Sequence, residues 1–178
     1  MLFRSDFVVL SRWPGAKLRE FIEERLETWM GLELNRDKTR EVDLRQEGAS
    51  LDFLGYTFRY DRDLRGRKHR YLNVFPSKKA VAREREKLRE MTGPQQCWKP
   101  IPHLLADVNL HLRGWANYFG YGYSSVALRE INGYVRQRLA RHLRRRSQRP
   151  FRPPDGVTGS EYFKRMGLCY LKAGLAKA

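Results

Sequence analysis

Hydrophobic residues recur at three- and four-residue intervals in several stretches of the chain, the spacing that places them on one face of a helix. The clearest stretch is Ile101, Leu104, Leu105, Val108, Leu112, Ala116 and Phe119. A second helix is predicted from Ala16 to Met30, with Leu18, Phe21, Ile22, Leu26 and Met30 on one face and Gly31 as its C-terminal cap. A third, roughly Lys78 to Met91, has a thin apolar face of Val81, Leu88 and Met91, with Pro76 stopping what precedes it and Ser77 as its N-cap. A fourth runs from about Val126 to Arg146 along Leu128, Ile131, Val135, Leu139 and Leu143. Within the central helix Gly114 is the odd residue. Glycine costs about 1 kcal/mol against alanine in a helix interior, so its presence predicts a neighbour too close to the backbone for a β-carbon.

Strand patterns occupy the front. Phe3 to Leu10 reads as a strand whose run Phe7-Val8-Val9-Leu10 suits burial on both faces, and Pro14-Gly15 breaks it. Short strands are expected at Leu32-Glu33-Leu34 and around Val42 and Leu44, separated by the polar turn from Asn35 to Thr39, with another turn at Glu47-Gly48. Leu51 to Phe58 reads as one strand interrupted at Gly55. A basic hairpin follows, turning over Asp63 to Lys68 and returning through Tyr71 to Phe75. The predicted class is α+β, a small β-rich unit with one helix followed by a three-helix bundle. The boundary falls at 75/76, and a proline-rich linker and tail run from 147 to 178, of which Gly167 to Leu171 packs back onto the body.

Charge changes this picture more than composition does. The 178 residues carry a net charge of +16, yet residues 1–60 hold 10 basic and 11 acidic groups, so the whole excess lies behind them. The fourth helix alone has Arg129, Arg136, Arg138, Arg141, Arg144, Arg145 and Arg146 against one acid, Glu130, so no lattice of ion pairs accounts for its arginines. A polyanionic partner follows, because cations that neutralise phosphates gain affinity by releasing counterions. Two distant cysteines and four histidines (His69, His103, His111, His142) show neither metal nor disulfide spacing, which fits a reducing, cytoplasmic setting. No run reaches the roughly 20 apolar residues of a membrane-spanning helix, and the start lacks the pattern of a signal peptide.

Several strings together resemble one family, the group II intron-encoded reverse transcriptase/maturases. Leu32-Glu33-Leu34-Asn35-Arg36-Asp37-Lys38-Thr39 resembles its L-x-L-N-x-x-K-T segment, and Asp52-Phe53-Leu54-Gly55-Tyr56-Thr57-Phe58 its F-L-G-[FY] segment at the end of the palm. Pro76-Ser77-Lys78-Lys79, Arg113-Gly114-Trp115-Ala116-Asn117-Tyr118-Phe119 and Tyr134-Val135-Arg136-Gln137-Arg138-Leu139 are similar to its maturase-specific, X or thumb region. The resemblance implies that 1–75 is the C-terminal remnant of a palm and 76–146 the helical thumb. Where the family has Y-A-D-D-F, this chain reads Phe3-Arg4-Ser5-Asp6-Phe7, with Ser5 in place of the first aspartate. Two magnesium ions need several carboxylates. Asp6 is thus a vestigial ligand, and neither catalysis nor a cofactor is expected of this chain alone, although the intact family uses magnesium.

The site expectations are nucleic-acid contacts from Lys38, Lys78, Lys79, Arg113, Asn117, Arg136, Arg138, Arg141, Arg144 and Arg145, with Lys99 also facing solvent. Phe53, Leu54 and Gly55 resemble the strand that grips a primer end, while an ordinary core strand with a bulge glycine fits them equally. Asn35 and Lys38 by resemblance lie near the template side, and as turn residues they also have a purely local role. Gly114, Trp115 and Phe119 are assigned to structure. The leading expectation is an RNA-binding maturase fragment that stabilises folded group II intron RNA for splicing. Its alternatives are the C-terminal part of an RNA-directed DNA polymerase that pairs with the missing fingers and palm, and a degenerate relic prone to dimerise. DNA or an RNA–DNA duplex is a further partner the resemblance allows, and a membrane is not one.

Overall fold

A computed structural model describes residues 7–12, 15–63 and 69–172. The architecture is α+β: the described residues form five α-helices and one small antiparallel sheet of three strands in the order β1-β2-β3. The helices are α1 (Ala16–Glu24), α2 (Lys78–Met91), α3 (Ile101–Phe119), α4 (Ser125–Ser147) and α5 (Gly159–Arg165). The strands are β1 (Ser50–Phe53), β2 (Tyr56–Arg62) and β3 (Arg70–Pro76).

The core belongs to the bundle. Its apolar members run from Ala80 to Leu171, and Leu88, Val108 and Ile131 are fully out of solvent. The periodic residues of α3 and α4 form that core as their spacing predicts, including Leu104, Leu112, Leu128 and Val135. Ser77 caps α2 by accepting the Ala80 backbone N–H at 3.1 Å, which satisfies one of the donors a helix start leaves open. The tail closes the bundle. Thr158 caps α5 by accepting the Glu161 N–H, Phe163, Leu168 and Leu171 are buried, and two asparagines clamp the irregular segment that follows. Asn109 donates to Gly167 O and accepts from Cys169 N, while Asn132 donates to Leu171 O and accepts from Leu171 N. The short helix α5 has no counterpart in the expectations from the sequence pattern.

The front differs from its expectation. Among the described residues none before Pro76 is buried. Phe7-Val8-Val9-Leu10 is irregular and largely exposed, with Leu10 at 82%. The predicted strands at Leu32–Leu34 and around Val42 and Leu44 are also irregular. A strand needs a neighbour to take its backbone hydrogen bonds, and the described sheet holds only β1, β2 and β3. The helix from Ala16 does form, but it widens after Glu24 into a π-helical turn over Arg25–Trp29 and buries nothing. Gly31 ends it at φ +62°, as expected of a C-terminal cap. The turn at Asn35 is present, with Asn35 Oδ1 accepting the Lys38 N–H.

Leu51 to Phe58 is not one strand with a bulge. It is a hairpin, because Phe53 pairs directly with Tyr56 and both intervening residues have positive φ, Leu54 at 48° and Gly55 at 82°. A leucine in that conformation costs about 1 to 2 kcal/mol, and tertiary contacts hold it there. Leu54 O accepts the Tyr118 hydroxyl at 3.0 Å, Gly55 O accepts the Ser77 N–H at 2.8 Å, and the Tyr56 hydroxyl donates to Tyr118 O. A β-carbon on Gly55 would meet the Phe119 ring at 3.1 Å. The two most distinctive strings of the chain therefore pack on each other. The β2–β3 hairpin forms as predicted, and its turn residues 64–68 lie outside the described residues.

Candidate nucleic-acid interface

The exposed cations are brought together by the packing of α2 on α4, the most extensive helix contact in the bundle. These helices run parallel: Arg85, midway along α2, meets Glu130 in the first part of α4, and Thr92, at the end of α2, meets His142 and Arg145 near the end of α4. Lys78, Ala82, Arg85 and Arg89 recur at helical spacing along the edge of α2 that meets α4. Glu130, Tyr134, Arg138, Arg141 and Arg145 do the same along α4. The result is a seam of cations about 17 Å long from Lys78 to Arg89, at about 1.5 Å per residue.

Arg138 is the floor of that seam, not part of its surface. It is 5% exposed, and its Nε donates to Thr92 Oγ1 at 3.1 Å and its Nη2 to Arg89 O at 3.3 Å. This corrects its assignment as a nucleic-acid contact. The C-terminal carbonyls of α2 carry partial negative charge and lack helical partners, so a buried guanidinium gains more there than in water. Arg145 adds a bond to Thr92 O at 3.3 Å while staying exposed, and Arg146 caps Lys99 O at 2.6 Å. His142 is wholly buried beside them, with Nδ1 3.4 Å from Thr92 O. Burial first, then Arg146, Arg145 and Arg138, hold its imidazole below the ordinary value, so it is neutral at pH 7.

The electrostatics of the seam follow from the same packing. Burial lowers the Arg138 guanidinium from its usual range, and the repulsion of Arg145, Arg141 and Arg89 lowers it further. Four guanidiniums thus converge at one end, where the exposed Glu86 pairs with Arg89 at 3.6 Å, and farther back along the seam Glu130 pairs with Arg85 at 3.3 Å. Exposed pairs of this kind are worth about 0 to 1 kcal/mol and yield readily to a phosphate. Arg85 also lies over the Tyr134 ring, 4.7 Å from its centroid.

The other predicted contacts are scattered. Lys78, Arg141 and Arg145 lie on the seam. Lys79, Arg136 and Arg144 are exposed on other faces of the same two helices. Arg113 and Asn117 sit on the exposed side of α3, turned away from the side on which His111 meets Glu84 of α2. Lys99 is paired with Asp107, and Lys38 stands in the front turn. Phe53, Leu54 and Gly55 form the docked hairpin turn, and Asp6 lies outside the described residues. Trp115 and Phe119 are buried with ring centroids 4.9 Å apart, as assigned. Gly114 does not fit its prediction: it is exposed, and a β-carbon there would meet nothing within 4 Å. The glycines in close contact are Gly55, against Phe119, Gly93, against the end of its own helix at Glu90 O, and Gly122, where a β-carbon would strike Val74 O.

Arg85 and Arg89 were missed as site residues. Their spacing from Lys78 was a usable signal, but only the choice of α4 as partner shows which side of α2 matters. Among the described residues no group of three His, Cys, Asp or Glu is placed to hold a metal ion, and no helix is long and apolar enough to cross a membrane.

Residues 81–153 match the family model described as group II intron, maturase-specific domain. Over this stretch the chain is similar to a maturase-specific domain. No curated protein matches the chain. The matched stretch begins one turn into α2 and takes in all of α3 and α4, so the whole seam beyond Lys78 lies inside it. The three-stranded sheet lies outside the match, joined to the matched stretch through Gly55, Tyr56 and Val74.

Proposed function

We propose that this chain binds folded group II intron RNA through the α2–α4 seam of its maturase-specific domain and stabilises the splicing-competent fold, while the RNA supplies the chemistry. The observation that carries this reading is the convergence of Arg89, Arg141 and Arg145 around the buried Arg138, with only weak exposed ion pairs to oppose them. Such a strip attracts a polyanion, and it suits duplex or compact RNA, which proteins recognise by shape and phosphate contacts. Phe53, Leu54 and Gly55 on this reading set the hairpin against α3 and do not act alone as a binding strand.

Filter binding of a group II intron RNA over a salt series tests this. Replacing Arg89 and Arg141 by Ala is expected to flatten the salt dependence by about 0.7 to 0.9 log unit per lost phosphate contact. Arg136→Ala, on the opposite side of α4, should change it less. An unchanged slope in the double variant would overturn the assignment.

A further inference from the structure

At the sheet end of the seam lies an open groove of about 470 Å³, between β2 and β3 on one side and the starts of α2 and α4 on the other. Its floor is apolar, made by Phe75, Pro76, Val81 and Ala127. Tyr123 and Val126 form one wall and remain 59% and 66% exposed, large for side chains that flank a concave surface. Backbone geometry fixes Tyr123 there: its N–H donates to Val74 O at 2.7 Å, Gly122 allows that approach, and its ring meets Tyr71 with centroids 5.3 Å apart. Three cations stand at the rim. Arg59 lies over Phe75 and pairs with Asp61, Arg85 pairs with Glu130, and Lys78 has no carboxylate partner among the described residues.

We propose that this groove receives one unpaired nucleotide of the bound RNA, its base against Tyr123 and the apolar floor and its phosphate at Lys78. The chemistry of the lining selects the occupant. An apolar floor with an exposed aromatic wall accepts a flat ring system, and a rim with an unneutralised lysine accepts an anion. Lys78 and Arg85 belong to both seam and groove, so an RNA lying along the seam passes the groove mouth. The volume is within the roughly 300 to 1,000 Å³ of small-ligand sites. This inference rests on the RNA-binding reading above and adds to it a preference for an unpaired base.

Fluorescence anisotropy tests it with two RNA stem–loops, one carrying a single bulged adenosine and one the same stem fully paired. The native chain is expected to prefer the bulged stem by at least about fivefold, the lower end of what one base stacked on an aromatic side chain contributes. Ala82→Trp, which fills the groove from an exposed position, and Tyr123→Ala, which removes its wall, should abolish the preference. Tyr123→Phe should keep it, and circular dichroism confirms that each variant is folded. If both RNAs bind with the expected salt dependence but the native chain shows no preference, or the two disabling variants retain it, the groove assignment fails and the seam stands. Loss of the preference in Tyr123→Phe overturns stacking as its basis. If neither RNA binds, both readings fall, and selective binding of an acidic peptide in their place would assign the surface to a protein.

Discussion

Helix α1 and helix α3 have the same kind of amphipathic pattern and opposite fates. The stripe of α3 from Leu104 to Phe119 is buried, because α2, α4 and the tail surround it. The stripe of α1 buries no residue, and Phe21 and Met30 remain more than half exposed. Periodicity therefore licenses a helix, and burial depends on whether another apolar face is within reach. In water most helical stability comes from packing the apolar face, so these two regions differ in energy far more than in pattern.

The largest effect should come from removing atoms on the packed side of that comparison. Ile131→Ala, at a fully buried position of α4, is expected to cost about 2 to 5 kcal/mol in urea unfolding. Ile22→Ala on α1 should cost no more than about 0.5 kcal/mol. A comparable loss at both positions would mean that α1 has a packing partner after all.

A smaller effect separates inward from outward arginines. Arg138→Ala should destabilise by about 1 to 3 kcal/mol, since it leaves Thr92 Oγ1 and Arg89 O without their donor. Arg141→Ala should leave the melting temperature unchanged and act on RNA affinity instead. Equal effects of the two on stability would remove the distinction between the floor of the seam and its surface.

The smallest expected change has the opposite sign. Gly114→Ala faces open space on α3 and should stabilise the chain by up to about 1 kcal/mol, read as a rise in melting temperature. Gly55→Ala should destabilise it, because φ is +82° there and the Phe119 ring is 3.1 Å from the new carbon. A destabilised Gly114→Ala would show that something in the chain does approach α3 at that point.

Where the pattern was informative, it was so because local chemistry decides the outcome. The ends of α2, the Ser77 cap, the cap at Gly31 and the turn at Asn35 depend on residues close in sequence, and each is present as expected. The β2–β3 hairpin followed from alternation, and the resemblance to maturases in the region of α2 to α4 agrees with the family match over 81–153. Phe7 to Leu10 was illegible for the opposite reason: a continuous apolar run describes a buried strand only if a sheet is there to receive it. The hairpin at Leu54-Gly55 was missed because a leucine at positive φ contradicts local preference and is held by Tyr118 and Ser77 from elsewhere in the chain.

The candidate site divides along the same line. Sequence alone determined that the back of the chain is strongly basic, that α4 carries arginines without acids, and that Trp115 and Phe119 sit on a buried face. Each of these depends on residue type and helical period, which are properties of single segments. Only the tertiary structure decided that Arg138 turns inward to close the end of α2 while Arg141 and Arg145 stay outside, that Arg85 and Arg89 join them, and that Gly55 is the glycine pressed against Phe119. Those outcomes depend on which helix lies beside which, and a seam or a groove exists only between two elements.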